Sequence, residues 1–264
     1  MNMQVLVAAM NSSPEELIQK MQLESDAIVI NQCDKVAYQE LERTGTRGPF
    51  SVKFFSFAER GVGLSRNNAL LRADREIVLF SDDDIVYEPG YSKRVLDEFS
   101  SHPEADMILF EMDVIPERRT YHNTEFKRVH LYNCGRYPTF SFAAKRELLH
   151  RNQITYSLLF GGGARYSNGE DSLFLRECIK KGMKVYASPV GLGREEGTPS
   201  TWFHGFNQKF FYDRGVLYHF LYGRLAFVLS LRFLLRHGRK MCVEITRSQA
   251  LSLMKQGIRD MRKG

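Results

Sequence analysis

The chain has 264 residues, enough for one large α/β domain or one domain with an extension and too few for several independent modules. With 43% hydrophobic and 26% charged residues its composition is globular, which excludes disorder, collagen and a disulfide scaffold. The net charge of +6 is uneven: from Phe206 onward twelve Lys/Arg face three Asp/Glu, a net of +9, so the first 205 residues carry −3.

A mildly acidic body with a basic, aromatic tail points to an anionic surface such as a membrane and away from nucleic acid. The four cysteines, Cys33, Cys134, Cys178 and Cys242, lie far apart without a CxxC pair. That argues against a zinc site and a secreted disulfide framework, and a reducing cytosol fits. Val5 to Met10 is apolar but has no basic flank and is too short for a signal-peptide core, so it reads as a first strand.

Short apolar runs alternate with amphipathic stretches through the first half, as in a mostly parallel sheet flanked by helices. Strands are expected at Gln4 to Ala8, Ala27 to Ile30, Val52 to Phe57 and Glu76 to Ser81. Pro14 opens a helix with Leu17, Ile18 and Met21 at helical spacing, and Leu64 to Leu71 forms another. After Pro89, Tyr91, Val95, Leu96 and Phe99 mark the buried face of a helix, and Asp106 to Phe110 starts a strand. Residues 115–140 show no clear period. Phe140 to Ala144 then reads as a strand, Arg146 to His150 as a helix, and Gly161 to Gly163 as a loop. Glu170 to Lys181 is a helix closed by Gly182, and Met183 to Ala187 a final strand before a Gly/Pro-rich loop.

The apolar strand Ile77 to Phe80 runs directly into Ser81, Asp82, Asp83 and Asp84. Three adjacent carboxylates repel one another, and the carboxyl end of a strand is where α/β sheets place ligands, so a divalent cation there would offset the repulsion. If extended, Asp82 and Asp84 point to the same side; the alternative is a solvated acidic turn capping the helix after Pro89. Upstream, Gly61, Gly63, Arg66, Asn67 and Asn68 form a Gly-containing turn into a helix, suited to approaching a diphosphate through backbone N–H groups or to plain capping. Downstream, Asn168, Gly169, Glu170 and Asp171 put two acids at a helix amino terminus, which ordinary end-charge preference also explains.

Taken in this order, these segments resemble the family 2 inverting glycosyltransferases of the GT-A fold. The resemblance spans about residues 4–205 and rests on Gly63, Arg66 and Asn67, on Asp82-Asp83-Asp84 as the DxD element, and on Gly169-Glu170-Asp171 followed by Leu173 and Arg176. It implies an α/β fold with a nucleotide-sugar donor, and a divalent metal, Mn2+ or Mg2+, on Asp82 and Asp84. It makes Asp171 the catalytic base, with Glu170 and Gly169 toward the acceptor. Asp83, Gly63, Arg66 and Asn67 fall on the donor side. Ala8, Ala9, Met10 and Asn11 sit where the first strand would floor the nucleotide pocket. His204, in Trp202-Phe203-His204-Gly205, stands where many members complete the metal site, although a packed histidine or part of the acceptor wall fits equally. Trp202 could stack on a sugar or anchor the closing loop. The departure is at the end of the second strand, where the family often has an Asp-Asp pair that reads the base and this chain has Asn31 and Gln32. UDP is therefore only the default.

The chemistry of such a set is coherent. A metal on Asp84 would stabilise the charge growing on a diphosphate leaving group, and a carboxylate on the opposite face, Asp171, would take the acceptor hydroxyl's proton in one displacement that inverts the anomeric centre.

From Val216 to Leu235 the chain is largely apolar, but Arg224 and Arg232 interrupt it and no charge-free run approaches the roughly 20 residues of a spanning helix. On one helix, Arg214, Arg224, Arg232, Arg236 and Arg239 share about a third of the circumference. Either a core-packing helix with outward arginines or an in-plane membrane helix accounts for this. A second basic amphipathic helix is expected at Glu244 to Met261. The expectation is a catalytic domain over 1–205 with a helical extension over 206–264, cytoplasmic and peripheral on the inner membrane face. Its reaction would be metal-dependent inverting transfer to a glycan or lipid-linked saccharide in bacterial surface polysaccharide synthesis. Two rivals are a sugar nucleotidyltransferase, weakened because Met10-Asn11-Ser12-Ser13-Pro14 is not a Gly-rich, Arg-bearing loop, and a non-catalytic module that binds sugar nucleotides or membranes, weakened by intact Asp84 and Asp171.

Overall fold

The computed structural model describes residues 1–45, 48–116, 119–197 and 205–263. Trp202 and His204 lie outside them. The elements are β1 (Met3–Met10), α1 (Pro14–Met21), β2 (Ala27–Gln32), β3 (Ala37–Gly45), β4 (Gly48–Phe57), α2 (Val62–Arg72), β5 (Ile77–Asp82), β6 (Ile85–Tyr87) and α3 (Tyr91–Ser101). There follow β7 (Met107–Asp113), β8 (Lys127–Arg128), β9 (Phe142–Lys145), α4 (Arg146–Arg151), α5 (Glu170–Lys180), β10 (Val185–Glu195), α6 (Gln208–Tyr222), α7 (Ala226–Met241) and α8 (Arg247–Lys263).

One mixed sheet runs in the order β3-β4-β2-β1-β5-β9-β7-β10-β6, with β8 beside β10. The run β4-β2-β1-β5 is parallel, as is β7 with β10, while β9 enters antiparallel between β5 and β7. The parallel strands are apolar throughout because both faces are covered. Val5, Val7 and Val29 pack with Leu17 and Met21 of α1 and Val95 and Phe99 of α3. Leu6, Ile28 and Phe80 pack on the other face with Leu70 of α2, Leu149 of α4 and Phe174 of α5. The carboxyl ends of β1, β2 and β5 therefore lie side by side, with Ala8 paired to Asp82 and Ala9 to Asn31.

Before the carboxyl-terminal helices, three differences from the sequence expectation bear on the site. β3 was not expected: its Tyr38, Gln39, Glu40 and Glu42 are exposed, and the strand is specified by its antiparallel ladder to β4 rather than by burial. The Gly/Pro stretch after Ala187 is not a loop but the rest of β10, with register shifts between Ala187 and Gly191 and between Gly191 and Arg194. Its Gly193 faces β6 so closely that a Cβ would lie 2.2 Å from Val86 O. The acidic residues do not cap α3, whose N-cap is Gly90 at φ 78°. Asp82 ends β5, Asp83 and Asp84 form the turn into β6, and the same-side argument for an extended pair does not apply.

The carboxyl-terminal segment is not one helix. Gln208–Met241 reaches by length and mean hydropathy what a spanning helix needs, which the sequence reading did not expect. It is broken at Gly223 (φ 54°, ψ −117°) into α6 and α7. The five arginines therefore do not share one helical face: Arg214 is half-buried against the Phe210 and Phe233 rings, while Arg224, Arg232, Arg236 and Arg239 are exposed. α6 packs on the body through Val216, Leu217 and Leu221 against Phe160 and Tyr166. Its other side meets α8 at backbone distance: a Cβ on Gly215 would lie 2.2 Å from Met254 O and one on Gly257 2.4 Å from Tyr212 O. Gly257→Ala should therefore push α8 from α6 and cost about 1–3 kcal/mol in urea unfolding, whereas Gly191→Ala, whose methyl meets open space, should change stability little.

Candidate active site

Arg66, on the second turn of α2, is buried and ion-paired to three carboxylates. Nη2 lies 2.8 Å from Asp82 Oδ1, and Nη1 lies 3.2 Å from Glu170 Oε1 and 3.1 Å from Asp171 Oδ1. Burial alone would lower its pKa, but Asp82, Asp171 and Glu170 together hold the guanidinium well above its ordinary value. The guanidinium also lies over the Tyr156 ring, 5.3 Å from its centroid, and Tyr156 stacks on Phe174 at 4.0 Å. The acids at the end of β5 and the acids opening α5 thus share one cation.

The Gly, Arg-Asn segment expected on the donor side does its work inside the protein. Arg66 pairs with the three carboxylates. Asn67 Nδ2 donates to Tyr156 O (2.9 Å) and its Oδ1 accepts from Tyr156 N (2.7 Å), so the amide clamps that backbone like a strand neighbour. Gly63 lets the helix approach it: a Cβ there would lie 2.6 Å from Ser157 O. The Gly161 to Gly163 run docks on the same turn. Gly162 O accepts from Val62 N (2.9 Å), and a Cβ on Gly161, at φ 105°, would meet Val62 at 2.7 Å and Glu170 at 2.9 Å.

Asn31 and Gln32 are likewise spent on architecture. Asn31 donates to Ser12 O and Ser56 Oγ and accepts from Ser12 N. Gln32 Oε1 accepts from Gly61 N (2.6 Å) and holds the turn before α2. Ala9 belongs to the core, whereas Ala8 is small and adjoins Asp82. Asn11 is exposed in the left-handed turn after β1 at φ 52°, a conformation Asn tolerates. Asp83 accepts from Met10 N (2.9 Å) and braces β1 against the acidic turn. Burial raises its pKa.

At α5 the two acids have separate roles. Glu170 is buried and turned inward, with Oε1 on Arg66 and Oε2 accepting from Gly169 N (3.1 Å), so it braces the turn. Burial, with Asp171 beside it, pushes its pKa up to about 7. Asp171 is more open, with 28% of its side chain exposed. Oδ1 accepts from Arg66 and from Thr139 Oγ1. Gly169 is at φ 116°, and a Cβ there would lie 2.5 Å from Leu217 of α6, so it serves the join to the extension rather than an acceptor. Thr139 and Tyr156 escaped the sequence reading, since their roles depend on contacts with residues far along the chain.

Hard carboxylate oxygens at the end of β5 suit Mg2+ or Mn2+, and such ions need only one or two carboxylates when substrate phosphates and water complete the shell. Among the described residues no three His, Cys, Asp or Glu side chains form a metal cluster. Asp82 gives one oxygen to Arg66, and Asp84, whose carbonyl accepts from Glu196 N, carries its carboxylate on the turn itself.

The sequence profile of glycosyl transferase family 2 matches residues 13–166. The chain belongs to this family. It is a glycosyltransferase, which sets aside both the nucleotidyltransferase and the non-catalytic module. S. aureus TarS 1-349 in complex with UDP-GlcNAc is similar in fold, with TM-score 0.62 at 15% identity over 100% of this chain and 92% of that one. S. aureus TarS gives 0.60 at 18%, over 98% and 49%. The mannosyltransferase PcManGT from Pyrobaculum calidifontis, in complex with GDP-Man and Mn2+, gives 0.50 at 15%, over 100% and 75%. No curated protein sequence matches the chain. The family 2 fold thus places the Arg66 cluster at the carboxyl end of its parallel strands.

The raised Glu170 pKa has a signed consequence. Between about 4.5 and about 7 the folded protein keeps a proton that the unfolded chain releases, so rising pH removes stability across that window. Glu170→Gln has no such titration. The stability of wild type relative to Glu170→Gln should fall by on the order of 2 kcal/mol from pH 4.5 to 7.5 in urea unfolding; a constant difference would show that Glu170 does not titrate there.

Proposed function

We propose that the protein moves a sugar from a nucleotide-sugar donor to a hydroxyl of a glycan or lipid-linked saccharide by one displacement with inversion, within bacterial surface polysaccharide synthesis. The observation that carries this is the Arg66 bridge, which holds the acidic end of β5 and the Asp171 carboxylate across one site. UDP-GlcNAc bound to TarS and GDP-Man bound to PcManGT support a nucleotide sugar and leave the base open, with UDP the default.

Asp171 takes the acceptor proton on Oδ2, while Arg66 and Thr139 fix the carboxylate through Oδ1. Glu170 holds the turn, and Ala8 leaves room beside Asp82 for the donor. Asp82 and Asp84 would hold Mg2+ or Mn2+, which when bound screens the diphosphate leaving group. His204 remains a candidate for the same site and Trp202 for the acceptor side. Residues 1–205 form the catalytic unit and 206–264 its extension, working at the cytoplasmic face of the membrane. α7 supports that location: Val228, Leu231 and Leu235 are 61%, 43% and 70% exposed in one row beside Arg232, Arg236 and Arg239, the composition of a headgroup-level helix.

Asp171→Asn, nearly isosteric, should lower transfer by at least about 100-fold with donor affinity within a few-fold. Retained turnover would remove Asp171 as the base. NMR of the product should show the anomeric configuration opposite to the donor's. EDTA or Asp84→Ala should weaken nucleoside diphosphate binding in calorimetry, and unchanged affinity in both would remove the metal from this reading.

A further inference from the structure

Beyond the Arg66 cluster the molecule carries a second charged site of opposite sign. Residues 131–136 face α6 and α7 across a cleft of about 600 Å³. Its walls carry Arg136, Arg214, Arg232, Arg236 and His237, and no carboxylate lines it among the described residues. Four arginines line one cleft without an acid, a local positive potential that favours a bound anion.

The innermost of these cations is also the least satisfied. Arg214 Nε is buried without a hydrogen-bond partner, and so is Arg136 Nε. Phe210 and Phe233 cover the Arg214 guanidinium at 5.0 and 5.4 Å, which stabilises a cation only partly. Burial lowers its pKa, with Tyr218 and Tyr222 the charged-form partners acting against that and no acid among them. Arg136 Nη2 donates to Tyr137 OH, a neutral group. Guanidinium forks in this number fit the several oxygens and double charge of a phosphate better than a single carboxylate.

The cleft also adjoins the reacting side of the site. Gly135 lines it, and a Cβ on Gly135 would lie 3.5 Å from Ser172 Oγ, the residue after Asp171. We propose that this cleft binds the phosphate group of the acceptor, held by Arg214 at its base and by Arg136, Arg232 and Arg236 around it. The assignment to the acceptor rests on the transferase reading above. The phosphate belongs either to a soluble phosphorylated saccharide or to a lipid headgroup, and the aromatic wall of Tyr218, Tyr222 and Phe233 accepts the attached group in both cases.

Calorimetry of the full chain with inorganic pyrophosphate, in EDTA and at low salt, tests the cleft without the metal-dependent donor site. Wild type should bind and gain thermal stability with added pyrophosphate. Arg232→Gln/Arg236→Gln, both exposed on α7, should weaken binding at least tenfold with an unchanged melting temperature in the absence of ligand. Arg214→Gln should remove binding. No binding by wild type, or equal affinity in the double variant, overturns the proposal. Glucose 1-phosphate binding more tightly than monomeric dihexanoyl phosphatidylglycerol assigns the phosphate to a soluble saccharide; the reverse order assigns it to a lipid headgroup. Donor hydrolysis by the wild-type chain tests the transferase reading separately, so the two fail independently.

Discussion

The structure depends on one buried guanidinium. Without Arg66, Asp82, Glu170 and Asp171 would gather three like charges where little water reaches to screen them. With it, every carboxylate has a partner and the strand end, α2 and α5 take fixed positions. A buried charge is costly unless paired, so the arrangement is asymmetric: removing the cation leaves three acids without it, whereas removing one acid leaves the other two still paired to Arg66. Such a cluster contributes more to geometry than to net stability. What it fixes is the distance between the acidic turn, where a leaving group's charge would be met, and Asp171, where a proton would be taken.

That geometry extends into the carboxyl-terminal helices. α5 opens at Gly169, which has no side chain because Leu217 of α6 fills the space, and buried Asp213 of α6 accepts from Ser167 N and Oγ one turn earlier. Arg176 of α5 donates to Leu221 O at the other end of α6. The backbone that aims Glu170 and Asp171 is thus braced from one side by Arg66 and from the other by α6. The extension is part of the support of the site, and a load on α7 from outside has a short path to it through the α6–α7 join.

Much of this was legible in the sequence where a segment's role is local. Apolar runs named β1, β2, β4 and β5, and Asp82, Glu170 and Asp171 stood out because acids at strand and helix ends need a reason. What stayed hidden was any role made by a distant partner. Asn31, Gln32 and Asn67 read as polar donor contacts, yet their amides hold backbone atoms of Ser12, Gly61 and Tyr156. The chemistry of an amide gives no sign of which partner it will take. The partners of Arg66 were hidden because they lie 16, 104 and 105 positions away. β3 was hidden because an edge strand shows its polar side chains on both faces, and the end of β10 because Pro189 and two glycines look like a loop until the ladder to β7 and β6 is seen.

The split of charge between body and extension then acquires a mechanistic sense. The acidic cluster carries more negative charge than Arg66 neutralises, so it favours a cation and repels a phosphate that arrives without one. The arginine cleft has the converse excess and lies on the far side of the first turn of α5, next to Ser172. The end of β5 therefore favours cationic groups and the cleft anionic ones, whatever else each recognises. Asp171 directly precedes Ser172, so the two opposite excesses meet at the first turn of α5.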